Sequence, residues 1–387
     1  MGNPLIIANQ KLMTDDITSA VIIDTGSGYC KADIAGEDIP RTVFPTVIGK
    51  SRTETDTELD MSGRGRDYYI GHDALSRNGL LNLSRPIQKG FVKDWDDLEK
   101  IWHHLFLNEL KIDSTERPVL TTVYSTEQKS TKEKTAQIFF ETLSAPFFYC
   151  YLNSLLSLYG SGRTTGVIID SGEEVTSVMP ILEGSSLNYA QSLNYFGGGD
   201  LNTFLQRLLK DKMGSYDLEL IRTIKEDKCY LSNDYEKEIE AFRKQGNKYS
   251  TYELPDGNRV KIEEEMIKCS EAIFQPSLIN QLSPGLHHII YESLLKCEAG
   301  VRRELTANII FCGGNTMIEN YVNRMHKELT GLLPASIKFK LVGSTDRNYL
   351  TWMGGAVVSS LTSFQTMWIT RADYEEHGPS IVHRKCL

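Results

Sequence analysis

The chain has 387 residues, 40% of them hydrophobic and 24% charged, and carries a net charge of −9. That is enough chain for two domains with full cores, and the acidic balance argues against a nucleic-acid binder working by phosphate neutralisation. Seven cysteines stand singly at 30, 150, 229, 269, 297, 312 and 386 with no CxxC spacing, which argues against a disulfide framework or zinc site and fits a reducing compartment. No leader-like segment and no run of eighteen apolar residues is seen, so a soluble, intracellular protein is expected.

In chain order, residues 1–18 are polar and weakly patterned and read as an N-terminal extension. Val21-Ile22-Ile23 then runs into Asp24-Thr25-Gly26-Ser27-Gly28, a buried strand breaking into a tight turn. Glycine there lets backbone N–H groups approach an anion, and Asp24 at the strand end suits a water of a hydrated Mg²⁺. Lys31 is placed to lie over phosphates. Pro40 and Pro45 fix an extended connection. Gly49-Lys50-Ser51 resembles the tail of a P-loop, but position 44 is Phe where that pattern needs Gly. Residues 50–67, with Leu59 and Met61 as their large apolar side chains, read as a solvated loop.

Asp94 reads as the N-cap of a helix that places Leu98, Ile101, Trp102, Leu105 and Phe106 on one face. His103 and His104 are adjacent, diverge around the helix and do not share a metal. Residues 131–160 read as further helix, and the turn Gly160–Gly166 feeds a second copy of the strand–turn pattern, Val167-Ile168-Ile169-Asp170-Ser171-Gly172. Two copies suggest two similar domains facing each other across one nucleotide. Gly197-Gly198-Gly199-Asp200 opens an amphipathic run, a form of helix entry that can bind phosphate. Residues 217–230 read as a helix with Arg222, Lys225 and Glu226 on its polar side. Glu253–Gly257 is a hairpin signal, Gly313-Gly314 follows the apolar run Ile309-Ile310, and Trp352 opens a small-residue helix to Leu361. Strands alternating with helices give an α/β class.

The segments DTGSGYCKADIAG (24–36), PRTVFP (40–45), WDDLEKIWHH (95–104), LYGSGRTTGVIIDSG (158–172), IKEDKCY (224–230), YELPDG (252–257), FQPS (274–277), FCGGNTM (311–317) and GPSIVHRKC (378–386), in this order, resemble the actin family over nearly the whole chain beyond about residue 20. Sugar kinases and Hsp70 chaperones share the duplicated strand–turn design but lack the WDD helix and the VHRKC tail. The resemblance implies an actin-like ATPase fold of duplicated ribonuclease H-like domains, with four subdomains around a nucleotide cleft. Subdomain 1 would comprise 19–45, 86–160 and 350–387, subdomain 2 residues 46–85, subdomain 3 residues 161–196 and 282–349, and subdomain 4 residues 197–281. It also implies ATP or ADP with Mg²⁺ or Ca²⁺ as cofactors. Gly26, Ser27, Gly28, Tyr29, Lys31, Gly172, Glu174, Val175 and Gly198 would lie at the phosphates. Arg222, Lys225, Glu226, Gly313, Gly314, Asn315 and Met317 would lie on the adenosine side. Asp24 and Asp170 would hold the cation through water.

Several positions depart from the family pattern. Its second phosphate turn reads Asp-Ser-Gly-Asp-Gly-Val-Thr-His, against Asp170-Ser171-Gly172-Glu173-Glu174-Val175-Thr176-Ser177 here. Glu174 adds bulk and charge where the family packs a Gly against the terminal phosphate, Ser177 replaces a His, and Asn153 replaces the Gln that orients the attacking water. Asn348 and Gly199 replace a Lys and an Arg, and Lys89 replaces a His that the family often methylates. The altered catalytic set is therefore Asn153, Glu173 and Ser177. The charged 50–67 stretch stands where the family has an apolar assembly loop, and its apolar plug survives partly as Leu278-Ile279. The expectation is a divergent actin or actin-related cytoskeletal protein, a structural subunit binding Mg-ATP with slow or absent hydrolysis and impaired homopolymerisation. It would act through actin, actin-binding proteins or a multisubunit complex, without direct nucleic-acid or membrane contact. The expected location is cytoplasmic or cytoskeletal, with nucleus and cilium left open. The alternatives are a filament-forming actin with polymerisation-coupled ATPase and a monomeric mimic that binds actin regulators.

Overall fold

The strand β1 (Val21–Thr25) buries Val21, Ile22 and Ile23 completely, as a β-branched run does at the centre of a sheet covered on both faces. The computed structural model describes residues 19–52, 67–125, 128–214, 216–245 and 249–386. The N-terminal extension and the loop residues Leu59 and Met61 lie outside the described residues. The chain divides into two units, Met1–Arg163 with Tyr349–Leu387, and Thr164–Asn348.

In the first unit β1 pairs antiparallel with β2 (Tyr29–Ile34), which pairs with β3 (Thr42–Pro45). A small three-stranded sheet follows, with β4 (Ile48–Ser51) between β5 (Tyr68–Ile70) and β6 (Leu81–Ser84), and then a short ladder of β7 (Ile87–Gln88) and β8 (Phe91–Val92). Lys50 and Ser51 are thus strand, where a loop was expected. The expected helix Trp95–His104 is present, and the Asp94 carboxylate accepts from Asp97 N–H at 3.0 Å. It buries Leu98, Ile101 and Trp102 and continues as a π-helical stretch, Leu105–Leu110. His103 and His104 face different acids, Glu99 at 4.0 Å and Glu109 at 3.1 Å.

Beyond it, β9 (Val119–Val123) runs parallel to β1, and β10 (Phe147–Leu152) parallel to β9. The continuous helix expected over 131–160 is corrected by this strand. Phe147-Phe148-Tyr149-Cys150-Tyr151 is aromatic and nearly all buried, and a parallel strand buried on both faces shows no alternation to betray it. Ser144, with φ of 54°, breaks the chain between the helical stretch and the strand. The sheet order is Ile369–Thr370, β10, β9, β1, β2, β3. The helix Leu350–Ser359, two residues shorter at its C-terminal end than the reading to Leu361, packs on Asn153–Gly160, and Trp352 donates its indole N–H to Ile22 O at 3.2 Å.

The second unit repeats the plan. Strand β11 (Gly166–Ser171) pairs antiparallel with β12 (Thr176–Leu182), which carries β13 (Ser185–Ser186) and β14 (Ser192–Asn194) on its far side. The hairpin β15 (Ser250–Glu253) and β16 (Arg259–Ile262) forms around the expected turn. Strand β17 (Ile309–Cys312) runs parallel to β11, and β18 (Leu341–Val342) parallel to β17. The order β12-β11-β17-β18 matches β2-β1-β9-β10 in sequence and direction. Its core joins Val167, Ile169, Phe196, Leu201, Leu205, Ile221, Ile224 and Phe311.

Candidate functional site

Each unit's central strand ends in the same turn. In the first, Gly26 N–H donates to Tyr29 O at 3.0 Å; in the second, Gly172 N–H donates to Val175 O at 2.9 Å. A residue pair flanks each turn at equivalent places, Thr25 with Cys30 (Oγ1 to Sγ 3.6 Å) and Ser171 with Thr176 (Oγ to Oγ1 2.7 Å). The duplication thus extends from strand order down to hydrogen bonds.

Around the first turn, Asp24, next to the last residue of β1, holds its carboxylate between two donors. Thr122 Oγ1 donates to Oδ1 at 2.9 Å, and Lys31, its ladder neighbour on β2, lies 3.5 Å from Oδ2. The lysine read from sequence as a phosphate contact is therefore also the partner of the acid read as the cation's anchor. Arg85, which the sequence reading missed, donates to Ser27 O at 3.1 Å and Gly28 O at 3.3 Å, and Thr46 N–H donates to Gly28 O at 3.0 Å. Both turn carbonyls are held from the side of β3 and β7. Nothing in the local pattern of Ser84-Arg85-Pro86 announces this, because the contact spans 58 residues. Trp102 fixes the other flank by donating Nε1 to Thr25 Oγ1 at 3.2 Å. Burial pushes the Cys30 thiol up to about 12, so it is an inert packing group. Asn153 is the first residue of its helix and is buried.

The second turn is a tighter construction. Thr176 Oγ1 donates its one proton to Phe196 O at 2.8 Å, so Ser171 Oγ must donate to Thr176, and Asn315 Nδ2 must donate to Ser171 at 3.0 Å. This relay fixes the orientation of the Asn315 amide and leaves its buried Oδ1 without a hydrogen-bond partner. Gly313, with φ of 87°, passes so close that a Cβ would meet Ser171 O at 2.3 Å and Asp170 Oδ1 at 2.7 Å. Around Gly314, by contrast, nothing lies within 4 Å of where a Cβ would stand, and Met317 beyond it is 40% exposed. Asp170 stands opposite Ser177 in the β11–β12 ladder, and Ser177 is buried. Glu174 sits half-buried at the tip of the turn, next to Val175.

The glycine run 197–199 is packed against this turn. Gly198 N–H donates to Gly172 O at 2.9 Å and Gly199 N–H to Glu173 O at 2.7 Å. These first amides of the helix Gly198–Met213 are spent on protein carbonyls, so Gly198 offers the site space rather than a donor. A Cβ on it would lie 3.2 Å from Lys225 Nζ.

Arg222 and Lys225, expected on a polar helix face, are in fact buried on Leu218–Lys228, 3% and 5% exposed. Each is compensated, as a buried cation must be. Arg222 reaches Glu173 at 2.7 Å and Glu219 at 3.2 Å, and Lys225 donates to Gly198 O at 3.0 Å. The absence of a side chain at Gly199 leaves room for this, since Glu173 Oε1 lies 3.2 Å from where its Cβ would be. Desolvation by the surrounding chain raises the Glu226 pKa, with Lys225 and Arg222 opposing and Glu173 and Glu219 adding, although the side chain reaches the surface.

Among the described residues, no group of three or more His, Cys, Asp or Glu comes together as a metal centre, and no helix is long and apolar enough to cross a membrane. The sequence model of the actin family matches residues 15–219 and 213–387, together nearly the whole chain. With two units built on one strand order and one turn geometry, this is an actin-like ATPase fold, and the chain belongs to the actin family.

Proposed function

We propose that this actin-family chain is a structural subunit that holds Mg-ATP or Mg-ADP, turns it over slowly or not at all, and works through protein partners in the cytoskeleton. Members of the family generally bind ATP or ADP with a divalent cation. The residues present fit such a ligand. Asn315 Oδ1 is a buried acceptor lacking a partner, beside a backbone that only glycine allows at Gly313. An acceptor so placed costs about 1–3 kcal/mol if nothing donates to it. Asp24 and Asp170 are carboxylates at the ends of equivalent strands, the donor type a hydrated Mg²⁺ takes. Bound Mg²⁺ would supply charge neutralisation at the phosphates. The chain's part is to hold phosphates at Gly26–Tyr29 and Gly172–Val175, the ribose and base at Arg222, Lys225, Glu226, Gly314 and Met317, and the cation's waters at the two aspartates.

The observation that carries the reading of slow turnover is the pair Asn153 and Ser177. Both are buried, one at a helix start and one opposite Asp170, so neither is free to swing into a longer residue's role. Asn reaches one methylene less far than Gln, and a hydroxyl replaces an imidazole. Misplacement of about 1 Å of a water-orienting group costs roughly a hundredfold in rate. Glu174 adds a further charge, and a like charge at 4 Å costs about 1 kcal/mol in water and about 4 at an effective dielectric of 20.

The test is ATP labelled on its terminal phosphate, loaded with Mg²⁺ and followed over a protein concentration series. Intact ATP at every concentration supports a structural ligand. Release that switches on above a critical concentration would show a polymerising ATPase and overturn the reading.

A further inference from the structure

Two cysteine pairs come together inside the molecule, and they differ in one respect. Cys229 and Cys269 lie in the second unit, both buried, with Cys269 Sγ donating to Leu201 O at 3.4 Å. Their mutual contact and burial hold the Cys229 thiol well above the ordinary cysteine range. Cys150 and Cys386 meet in the first unit. Cys150 is central in β10 and fully buried, and its N–H donates to Cys386 Sγ at 3.5 Å. Cys386 closes the short helix Val382–Lys385 and is 8% exposed.

The surroundings of the second pair are cationic. Lys385 precedes Cys386 and is anchored on Asp373 at 2.7 Å and Trp368 O at 3.0 Å. Lys132 comes from the helix Lys129–Gln137, whose Glu133 pairs with His383 at 2.7 Å. Burial opposes ionisation of Cys386, but contacts with Cys150 and the charges of Lys132 and Lys385 outweigh it and hold the thiol below its usual range.

We propose that Cys150 and Cys386 form a reversible disulfide when the protein meets hydrogen peroxide, strapping the C-terminal helix to the first unit's sheet. The Cys386 thiolate attacks a peroxide oxygen; the O–O bond breaks and hydroxide leaves, giving a sulfenic acid. The Cys150 thiol then attacks that sulfur, the S–O bond breaks, and water departs. The proton of Cys150 leaves in that water, and the proton that Cys386 gave up on ionising neutralises the hydroxide, so two thiols lose two electrons and one peroxide becomes two waters. In a reducing compartment such a bond is transient, as suits a sensor rather than a structural staple.

The full chain is treated with rising doses of peroxide, residual thiols are capped with N-ethylmaleimide, and peptides are mapped by mass spectrometry without reduction. A linked Cys150–Cys386 peptide on a monomeric chain is expected, two hydrogens lighter than its parts and released by dithiothreitol. It should form about tenfold or more faster than any Cys229–Cys269 link, following thiolate fraction. In Cys150→Val, close in size, Cys386 should stop at a dimedone-trapped sulfenic acid; in Cys386→Ser, Cys150 should remain a thiol. Cys386 capped as a free thiol throughout, linked only to a second chain, or outpaced by Cys229–Cys269 would overturn the proposal.

Discussion

Replacing Gly197 by Ala tests whether the glycine run is a close-packing device for the second phosphate turn. A Cβ at this position would sit 2.5 Å from Glu173 O and 2.6 Å from both Glu173 C and Gly172 O. Ordinary contact begins near 3.4 Å, so the backbone of one segment must retreat by about 0.9 Å. All three atoms are backbone, so no side-chain rotation relieves the clash. A retreat of that size stretches the bonds Gly198 N to Gly172 O and Gly199 N to Glu173 O beyond hydrogen-bonding range. Two lost bonds at about 1 kcal/mol each, with about 1–3 kcal/mol of overpacking, give a loss of roughly 3–5 kcal/mol. Urea unfolding measures it, with Gly300→Ala as the control. Gly300 lies within the helix Ala299–Thr306, whereas Gly197 is the extended residue before its helix, and it has nothing within 4 Å of a Cβ, so that change should be neutral or stabilising by up to about 1 kcal/mol. ATP affinity of Gly197→Ala should fall with the displaced turn. A stability change within about 0.5 kcal/mol of the control would refute the packing argument.

Gly314→Ala should leave stability unchanged, because the space beside it is open, yet weaken ATP binding measured by titration; equal affinity would mean the nucleotide does not approach there. Arg85→Met keeps the stem but removes the donors to Ser27 O and Gly28 O, and ATP affinity should fall about tenfold, equivalent to about 1.4 kcal/mol. Asp97 is buried, and although burial opposes its ionisation, hydrogen bonds from Lys50 at 2.8 Å and Lys100 at 3.1 Å lower its pKa. A lowered folded value means the stabilisation is complete above the unfolded value of about 3.9 and is lost as pH falls through the folded one. Urea midpoints followed from neutral pH into acid should therefore drop less steeply in Asp97→Asn, and parallel curves would exclude this group. Asn153→Gln with Ser177→His should raise phosphate release by up to about a hundredfold; an unchanged rate would place the block elsewhere.

By itself, the sequence determined the strand–turn pairs, the capped helix at Asp94 and the α/β class, because each is written in neighbouring residues. A β-branched run followed by Asp, hydroxyl and Gly, or an Asp before an amphipathic face, needs no distant partner to be read. The order of the motifs carried the family for the same reason. The strand Phe147–Leu152 was not legible, since a strand buried on both faces has no period of two and its apolar run reads equally as helix. Nor did helical periodicity reveal that Arg222 and Lys225 are buried. A cation is read as surface unless its counter-charge is known, and Glu173 lies 49 residues away. Only the tertiary structure decided that Arg85 clamps the first turn, that the glycine amides at 198 and 199 bind protein carbonyls, that Asn315 keeps an unpaired acceptor, and that Cys150 meets Cys386. Each depends on segments dozens to hundreds of residues apart arriving within hydrogen-bonding distance, and a linear pattern carries no record of which pairs converge.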